Sequence, residues 1–356
     1  MSDNVLDIFG GDFFGMANLT AALIKRPTVP GLTGALNLFA DMPLNTDKVI
    51  IEELNQQVGL LPYTNPNGPG TPVTADKRTG RPFQVPTIRA SAEVWASDVM
   101  GVRAFGSSDM LQTVESKVGE VTDKVRQGYF SPTEEFLRVQ SIRGYIGNPG
   151  TPGTPILDLC TEMGVSRATA LDMDLTSSTA ATVIGYCDTI RERIINGIGG
   201  VPFTGVMALC GRAFYRALKV NPIVRADIVT VNTGLGMNAP LLTNLGPNNT
   251  EQMLNGTPAI LWQGILWVEY SMSLGLGLGG AVEFIPSAEA VAFPTGVPAM
   301  FIRHNAPAPY LETANTMGLP IYAKSELKRF GKGVDIELTA RPLFLNSRPG
   351  SVIRLY

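Results

Sequence analysis

The chain has 356 residues, of which 44% are hydrophobic and 17% charged, with a formal net charge of −3 and a pI near 5.4. An apolar content this high argues against an intrinsically disordered chain. The sparse, slightly acidic charge argues against tight nucleic-acid binding, because proteins of that class usually carry a basic stripe. The 38 glycines and 26 prolines are spread along the chain, which favours many strands and turns over a helical bundle.

The first 45 residues read as an arm. Phe9, Phe13 and Phe14 lie among glycines, and three prolines between positions 27 and 43 prevent a long helix. Exposed apolar side chains on a free arm would promote aggregation. We therefore expect the arm either to fold back on its own domain or to pack on another subunit. The start of the chain has no basic region, so we do not expect a signal peptide.

A projecting loop is predicted next. Strands are expected over 48–54 and 58–62, and the segment 63–86 between them and the following strand, Val85–Trp95, is rich in Asn, Pro, Gly and Thr. A long loop without packed structure is uncommon inside a compact domain. We expect this one to be functional or to be ordered by a partner.

Two helices are predicted after this loop. Apolar residues three and four apart predict a helix over Asp109–Gln127 that ends at Gly128. The sequence Ser131-Pro-Thr-Glu134 reads as a capping box, which predicts a new helix running to Arg143 and ending at Gly144.

The central part of the chain predicts a compact α/β unit over about 166–280. A helix over Ser177–Ile198, a buried strand Val206–Cys210 and a helix Arg212–Val220 are expected in turn. The first helix carries an apolar stripe at helical spacing, formed by Val183, Cys187, Ile190, Ile194 and Ile198. The apolar run 259–282 contains Gln263 and Glu269 and many strand-forming residues, so we expect buried sheet and not a membrane-spanning helix.

The C-terminal region predicts a long β-hairpin. Ile321–Ala323 is strand-like, and Lys324, Lys328, Arg329 and Lys332 are expected in a charged turn broken by glycines. In the next strand, Val334, Ile336 and Leu338 alternate with polar residues, which is the period of a half-buried strand.

Motifs that carry chemistry are weak in this chain. Gly275, Gly277 and Gly280 match GxGxxG, but the segment after them reads as a strand where a dinucleotide site needs a helix. His304 is the single histidine, and no GxSxG elbow accompanies it, so we expect a packed or surface residue. The three cysteines, Cys160, Cys187 and Cys210, lack CxxC spacing, and we expect buried free thiols in a reducing cytoplasm.

Paired carboxylates are also present. Glu52 and Glu53, like Glu134 and Glu135, are adjacent and do not face each other on a regular element, so we expect solvated charges. Asp172 and Asp174 would share a face of a strand, a weak pattern for a metal pair. We therefore expect no catalytic residue, no cofactor-binding residue, no metal ligand and no cofactor, and we do not expect an enzyme.

Several segments spread over nearly the whole chain resemble one family. They are Asp98–Arg103, Phe136-Leu137, Ile156–Gly164, Leu209–Phe214, Asn221–Arg225, Asn315–Lys324, the basic glycine turn Arg329–Gly333, and Arg348-Pro349. Their order and spacing resemble the major capsid protein E family of lambda-type tailed bacteriophages.

The resemblance implies an α+β protein with the Hong Kong 97-like phage capsid fold. The implied divisions are an N-terminal arm (1–45), an extended loop (46–97), a peripheral domain with a spine helix (98–165), an axial domain (166–281), the C-terminal β-hairpin of the peripheral domain (282–350), and a terminal strand returning to the axial domain (351–356).

The resemblance also implies a function. Hexamers and pentamers of the chain would close an icosahedral virion shell around double-stranded DNA, which would line the inner face without sequence-specific binding. Assembly would take place in the host bacterial cytoplasm with scaffold, portal and possible cement proteins, and without a membrane. Two alternatives are an encapsulin-like compartment, which would hold a cargo enzyme, and a β-rich binding protein or enzyme, which would be a monomer with a ligand-sized pocket.

Overall fold

A computed structural model describes residues 15–25, 31–52, 80–100, 114–177, 179–226, 252–254, 256–270, 273–276 and 280–356. The Phe-rich start of the arm, the predicted strand 58–62 and most of the projecting loop lie outside these described residues. The architecture is α+β, as predicted, with several separate sheets and helices packed against them.

The elements are numbered here in chain order. The helices are α1 Met16–Lys25, α2 Leu32–Ala35, α3 Val114–Val125, α4 Ser131–Ile142, α5 Leu159–Glu162, α6 Ala180–Ile198 and α7 Arg212–Val220. The strands are β1 Ala40–Pro43, β2 Lys48–Glu52, β3 Gly80–Gln84, β4 Ile88–Trp95, β5 Tyr145–Ile146, β6 Leu157–Asp158, β7 Gly205–Cys210, β8 Gln252–Leu254, β9 Thr257–Trp262, β10 Ile265–Glu269, β11 Ser273–Leu276, β12 Gly280–Glu283, β13 Ala290–Thr295, β14 Phe301–Asn305, β15 Tyr322–Leu327, β16 Gly333–Ala340, β17 Pro342–Asn346 and β18 Ile353–Leu355.

A six-stranded sheet in the order β18-β13-β7-β10-β9-β8 forms the centre of the molecule, which we call the central sheet. Alternate residues of β7 face two different cores, because successive side chains of a strand point to opposite faces. Ala208 packs on one face with α6 and α7. The apolar stripe predicted for α6 is confirmed, since each of its residues is at most 1% exposed. Leu209 packs on the other face with Phe136 of α4. Both faces of β7 are therefore buried by helices.

The final strand returns to the central sheet. β18 pairs antiparallel with β13, with Ile353 opposite Ala292. β13 lies within 282–350, the range expected for the peripheral domain, yet it pairs with β7 in the middle of the central sheet. The central sheet thus extends beyond the expected boundary at residue 281.

One continuous helical spine replaces the two predicted helices. Gly128 does not end the first helix, because a π-turn over Arg126–Phe130 joins α3 directly to α4. The predicted capping box is wrong as well, since Ser131 is itself helical, with φ −59° and ψ −47°. Pro132 explains the π-turn: it has no N–H to donate, and its ring would clash with the carbonyl four residues earlier in a regular α-helix. The predicted stop at Gly144 is confirmed by its φ of +83°.

The C-terminal hairpin forms a second sheet in the order β15-β16-β4, which we call the peripheral sheet. The predicted inward residues of β16, Val334, Ile336 and Leu338, are 2%, 1% and 0% exposed. They pack under Leu23 of α1 and Val118 of α3. Lys324 lies within β15 and not in the turn as predicted, because the strand continues to Leu327.

Four smaller sheets, β1-β14-β17, β2-β3, β5-β6 and β11-β12, complete the arrangement of the described strands. β1 pairs in parallel with β14, which pairs with β17, a strand that was not predicted. β2 pairs with β3, which the sequence had placed inside the projecting loop. The apolar run 259–282 forms β9 to β12, in agreement with the expectation of sheet. Within the described part of the chain, no helix is long and apolar enough to cross a membrane.

Candidate functional site

The structure places the predicted candidate residues apart from one another. His304 lies in β14, its Nδ1 is 3.2 Å from the Met42 carbonyl, and burial lowers its pKa. Gly275 and Gly280 belong to the antiparallel pair β11–β12, so a strand and not a helix follows the glycines. Gly277 lies outside the described residues.

The remaining candidates have local structural roles. Asp172 Oδ1 accepts a hydrogen bond from the Asp174 backbone N–H at 3.0 Å, which forms a turn. The three cysteines are free and buried as predicted, and burial raises the pKa of each thiol, that of Cys187 to about 12. Among the described residues, no group of three or more His, Cys, Asp and Glu side chains is placed to hold a metal ion.

Glu134 and Glu135 differ sharply from the expected pair of solvated charges. Glu134 is partly buried and pairs with Arg303 at 2.9 Å and with Arg138 at 3.0 Å. Glu135 is fully buried, with 0% of its surface exposed. A buried carboxylate is costly to desolvate unless donors surround it, so its partners decide what it does.

Glu135 pairs with Arg138, one turn along the spine at 3.5 Å, and receives its other donors from two distant parts of the chain. The Thr33 backbone N–H and Thr33 Oγ1 donate to it at 2.8 and 2.7 Å, and the Gly34 N–H donates at 3.3 Å. The Tyr270 hydroxyl donates at 3.1 Å from beyond the end of β10. Burial raises the pKa of Tyr270, and the neighbouring Glu135 charge raises it further, so this hydroxyl stays a donor. Glu135 thus ties α2, the spine and the central sheet together, and we call it the carboxylate joint.

Local backbone geometry makes the joint possible. Gly31 is the N-cap of α2 and has no side chain, and a Cβ there would lie 2.3 Å from Glu135 Cδ. The first N–H groups of a helix have no partner within that helix, so the carboxylate satisfies groups that burial would otherwise leave unpaired. Any larger residue at position 31 would push the carboxylate away from α2.

One sequence signal could have identified Glu135. It lies four residues before Val139 and seven before Ile142, and both of these residues are 0% exposed. A charged residue on the apolar stripe of a helix is a buried group that needs partners, whatever its neighbour in sequence does. Thr33 itself carries no such signal, because its role depends on a contact across 102 residues.

The described parts of the arm pack on their own chain at two further places. Leu23 of α1 is 2% exposed in the core of the peripheral sheet, and Thr20 Oγ1 accepts a hydrogen bond from the Ala323 N–H at 3.1 Å. Phe39, just before β1, packs on Phe301 and Phe344 with ring centroids 5.3 and 5.2 Å away. The described residues of the arm therefore pack on their own chain.

The tip of the C-terminal hairpin is exposed and apolar. Phe330 is 91% exposed and has φ +65°, a left-handed conformation that is costly for a bulky residue. Trp95 and Leu327 are 42% and 37% exposed at the same end of the peripheral sheet. The exposed cations Arg329 and Lys332 flank the ring. We call this surface the hairpin tip. The sequence predicted its charge but not its exposed aromatic residue.

Comparisons with known proteins identify the family. The family model for phage major capsid protein E matches residues 15–356. The major capsid protein of Pseudomonas phage KPP10 is 26% identical over 345 residues, which cover 94% of this chain and 93% of that protein.

Solved structures agree on the fold. A candidate capsid protein of an E. coli CFT073 prophage has a TM-score of 0.57 at 11% identity, covering 96% of this chain and 98% of that one. A phage-related protein of Bordetella bronchiseptica RB50 has a TM-score of 0.52 at 10% identity, covering 95% of both chains.

The resemblance found in the sequence is therefore confirmed, and so are the Hong Kong 97-like fold and the expectation of a structural protein that is not an enzyme. A protein of this kind is a virion component that forms its shell from copies of itself. The chain belongs to the phage major capsid protein E family.

Proposed function

We propose that hexamers and pentamers of this chain close into an icosahedral shell around double-stranded DNA. In this proposal residues 1–45 are the arm, 46–97 the extended loop, and 98–165 together with the hairpin part of 282–350 the peripheral domain. The axial domain is 166–281, with β13 and the terminal strand 351–356 completing its sheet. Pairing of β18 with β13 supports this division.

The hairpin tip carries the proposal. The left-handed backbone of Phe330 costs about 1–2 kcal/mol. Burial of the ring does little to offset this cost in the single chain, because the side chain is 91% exposed. A neighbouring copy that covered the ring would recover it. Contacts of this kind can each be weak, because a closed shell makes many of them at once.

The same proposal assigns the other partners. Scaffold, portal and cement proteins would act with the chain in the host bacterial cytoplasm. The inner surface of the shell would bind the packaged DNA weakly, because a chain with a net charge of −3 does not attract phosphates strongly. Weak binding would let the DNA move along the inner surface while the shell is filled.

Assembly of a hairpin-tip variant tests the proposal. Phe330→Asn removes the ring but keeps a residue that tolerates positive φ, so the single chain should fold normally. We expect shells or capsomer rings of the unaltered chain in negative-stain electron microscopy, and a marked loss of shells in the variant at equal concentration.

A matched control is Tyr129→Asn, which removes another exposed aromatic residue, 66% exposed on the spine. Circular dichroism should show both variants folded. Equal assembly by Phe330→Asn and the unaltered chain would contradict the role of the hairpin tip. A uniform monomer of the unaltered chain at high concentration, with scaffold supplied, would contradict shell formation itself.

A further inference from the structure

A small cavity lies where the end of the spine meets the edge of the central sheet. Its volume is about 120 Å³, and three of its eight lining residues are arginines: Arg143 at the end of α4, Arg167 in the following connection, and Arg354 in β18. The other lining residues are Tyr145, Ala168, Ala170, Val291 and Val352. The lining therefore carries three positive charges and no carboxylate. We call it the arginine cavity.

Two carboxylates outside the cavity lining form ion pairs with the guanidinium groups and orient them. Glu289 pairs with Arg354 and lies 3.6 Å from Arg143, and Asp158 Oδ1 is 2.8 Å from Arg167. Neither carboxylate belongs to the lining. An arginine held from behind loses less conformational freedom when its remaining N–H groups meet a ligand.

Arg167 is fixed with particular precision. Its Nη1 donates to the Arg143 carbonyl at 3.0 Å, and its guanidinium lies 4.2 Å from the centroid of the Tyr145 ring. The contact with the aromatic face and the hydrogen bond to the carbonyl together restrict the guanidinium group. The cavity thus has a rigid charged wall before any ligand arrives.

The three charges also repel one another. Burial lowers the pKa of Arg143, Glu289 opposes this effect, and the charges of Arg354 and Arg167 lower the pKa further. Like charges brought together in a partly desolvated cavity are relieved by an anion. Glu289 and Asp158 compensate two of the three positive charges, so one positive charge is left for an anion to balance.

We propose that the arginine cavity binds a phosphate-type oxyanion, which would bridge α4, the connection around Arg167 and β18. Guanidinium forks match the tetrahedral oxygens of phosphate and form charge-assisted hydrogen bonds with them. A cavity of about 120 Å³ admits such a group. The phosphate can come from free inorganic phosphate or from nucleic acid.

Thermal unfolding and calorimetry with inorganic phosphate test this site. We compare the full chain in sodium phosphate and in sodium chloride at equal ionic strength and pH, with sodium acetate as a carboxylate reference. A ligand that binds the folded state raises the unfolding midpoint. We expect a saturable increase in phosphate alone, and one binding event in the calorimeter.

Arg354→Gln is the main variant, because its side chain is 58% exposed and its loss is compatible with folding. It should weaken phosphate binding about tenfold, the usual effect of one charge-assisted contact. Arg354→Lys, which keeps the charge but loses the fork, should bind with intermediate affinity. Arg191→Gln is the control, since Arg191 pairs with Asp188 on the surface of α6 and lies outside the cavity lining.

The outcomes separate cleanly. Equal midpoints in phosphate and chloride, an equal effect of acetate, or unchanged phosphate binding by Arg354→Gln would overturn the proposal. A short DNA duplex that competes with phosphate in the unaltered chain would identify nucleic acid as the source, and a duplex that does not compete would identify free phosphate. The test is independent of shell formation, because it uses the unassembled chain.

Discussion

Two of the contacts that attach the arm to the rest of the chain differ in their chemistry. At the carboxylate joint, α2 presents backbone N–H groups to one buried charge. At the peripheral sheet, α1 presents Leu23 to an apolar core, the Thr20 hydroxyl to a strand and the Leu23 carbonyl to Arg126 of the spine. Hydrogen bonds to a buried charge are directional and tolerate little displacement, whereas apolar packing depends on area. The comparison indicates that α2 is positioned mainly by hydrogen bonds to one charge, and α1 by apolar packing supplemented by hydrogen bonds.

Removing the carboxylate should have the largest effect. Glu135→Ala leaves the Thr33 and Tyr270 donors buried without an acceptor, so we expect a loss of about 3–5 kcal/mol in unfolding free energy. Urea denaturation measures it. Glu134→Ala is the adjacent control: its two arginine partners each keep another carboxylate, Arg138 with Glu135 and Arg303 with Asp41, so we expect a smaller loss of about 1–2 kcal/mol. Equal losses in the two variants would show that the joint is not special.

Truncating the apolar contact should have the next largest effect. Leu23→Ala removes a side chain that is 2% exposed, and we expect a loss of about 2–4 kcal/mol. Its neighbour Ile24 is 37% exposed, so Ile24→Ala should change stability by less than about 1 kcal/mol. If the two alanine variants unfold at the same urea concentration, α1 does not dock as described.

The single hydroxyl of α1 should contribute less. Thr20→Val keeps the shape but leaves the Ala323 N–H without its acceptor, at a cost of about 1–2 kcal/mol. Hydrogen exchange at the Ala323 amide should become faster, while exchange at Ile336 in the neighbouring strand stays slow. Unchanged exchange at Ala323 would mean that another acceptor serves this edge.

The smallest expected effect is a pH dependence at the third contact, where β1 lies beside His304. Burial lowers the pKa of His304 below 6.5, so the unfolded chain binds a proton more readily than the folded chain. Stability should therefore fall as pH drops from about 7 to about 5.5. His304→Gln should flatten this slope, and the test is clean because the chain has one histidine. An equal slope in the variant would remove His304 as the cause.

Sequence patterns predicted those elements whose partners are local. The α6 stripe and the alternation in β16 follow from the period of a helix or strand against one core, and both are confirmed. The π-turn before Pro132 was missed because glycine and a capping-box pattern give the same local signal as a helix end. The carboxylate joint was missed because the donors that join Glu135 to other segments lie 102 and 135 residues away from it. The sequence around Glu135 contains no information on which segment will supply them.

The hairpin tip was predicted only in part from the sequence. Its glycines and cations predict a turn, but the exposure and strained backbone of Phe330 depend on how β15 and β16 end. A density map of the assembled shell at side-chain resolution tests its role most directly. We predict that the Phe330 ring lies against a neighbouring copy of the chain. A map in which the ring faces solvent in every copy would contradict the proposal that this tip joins subunits.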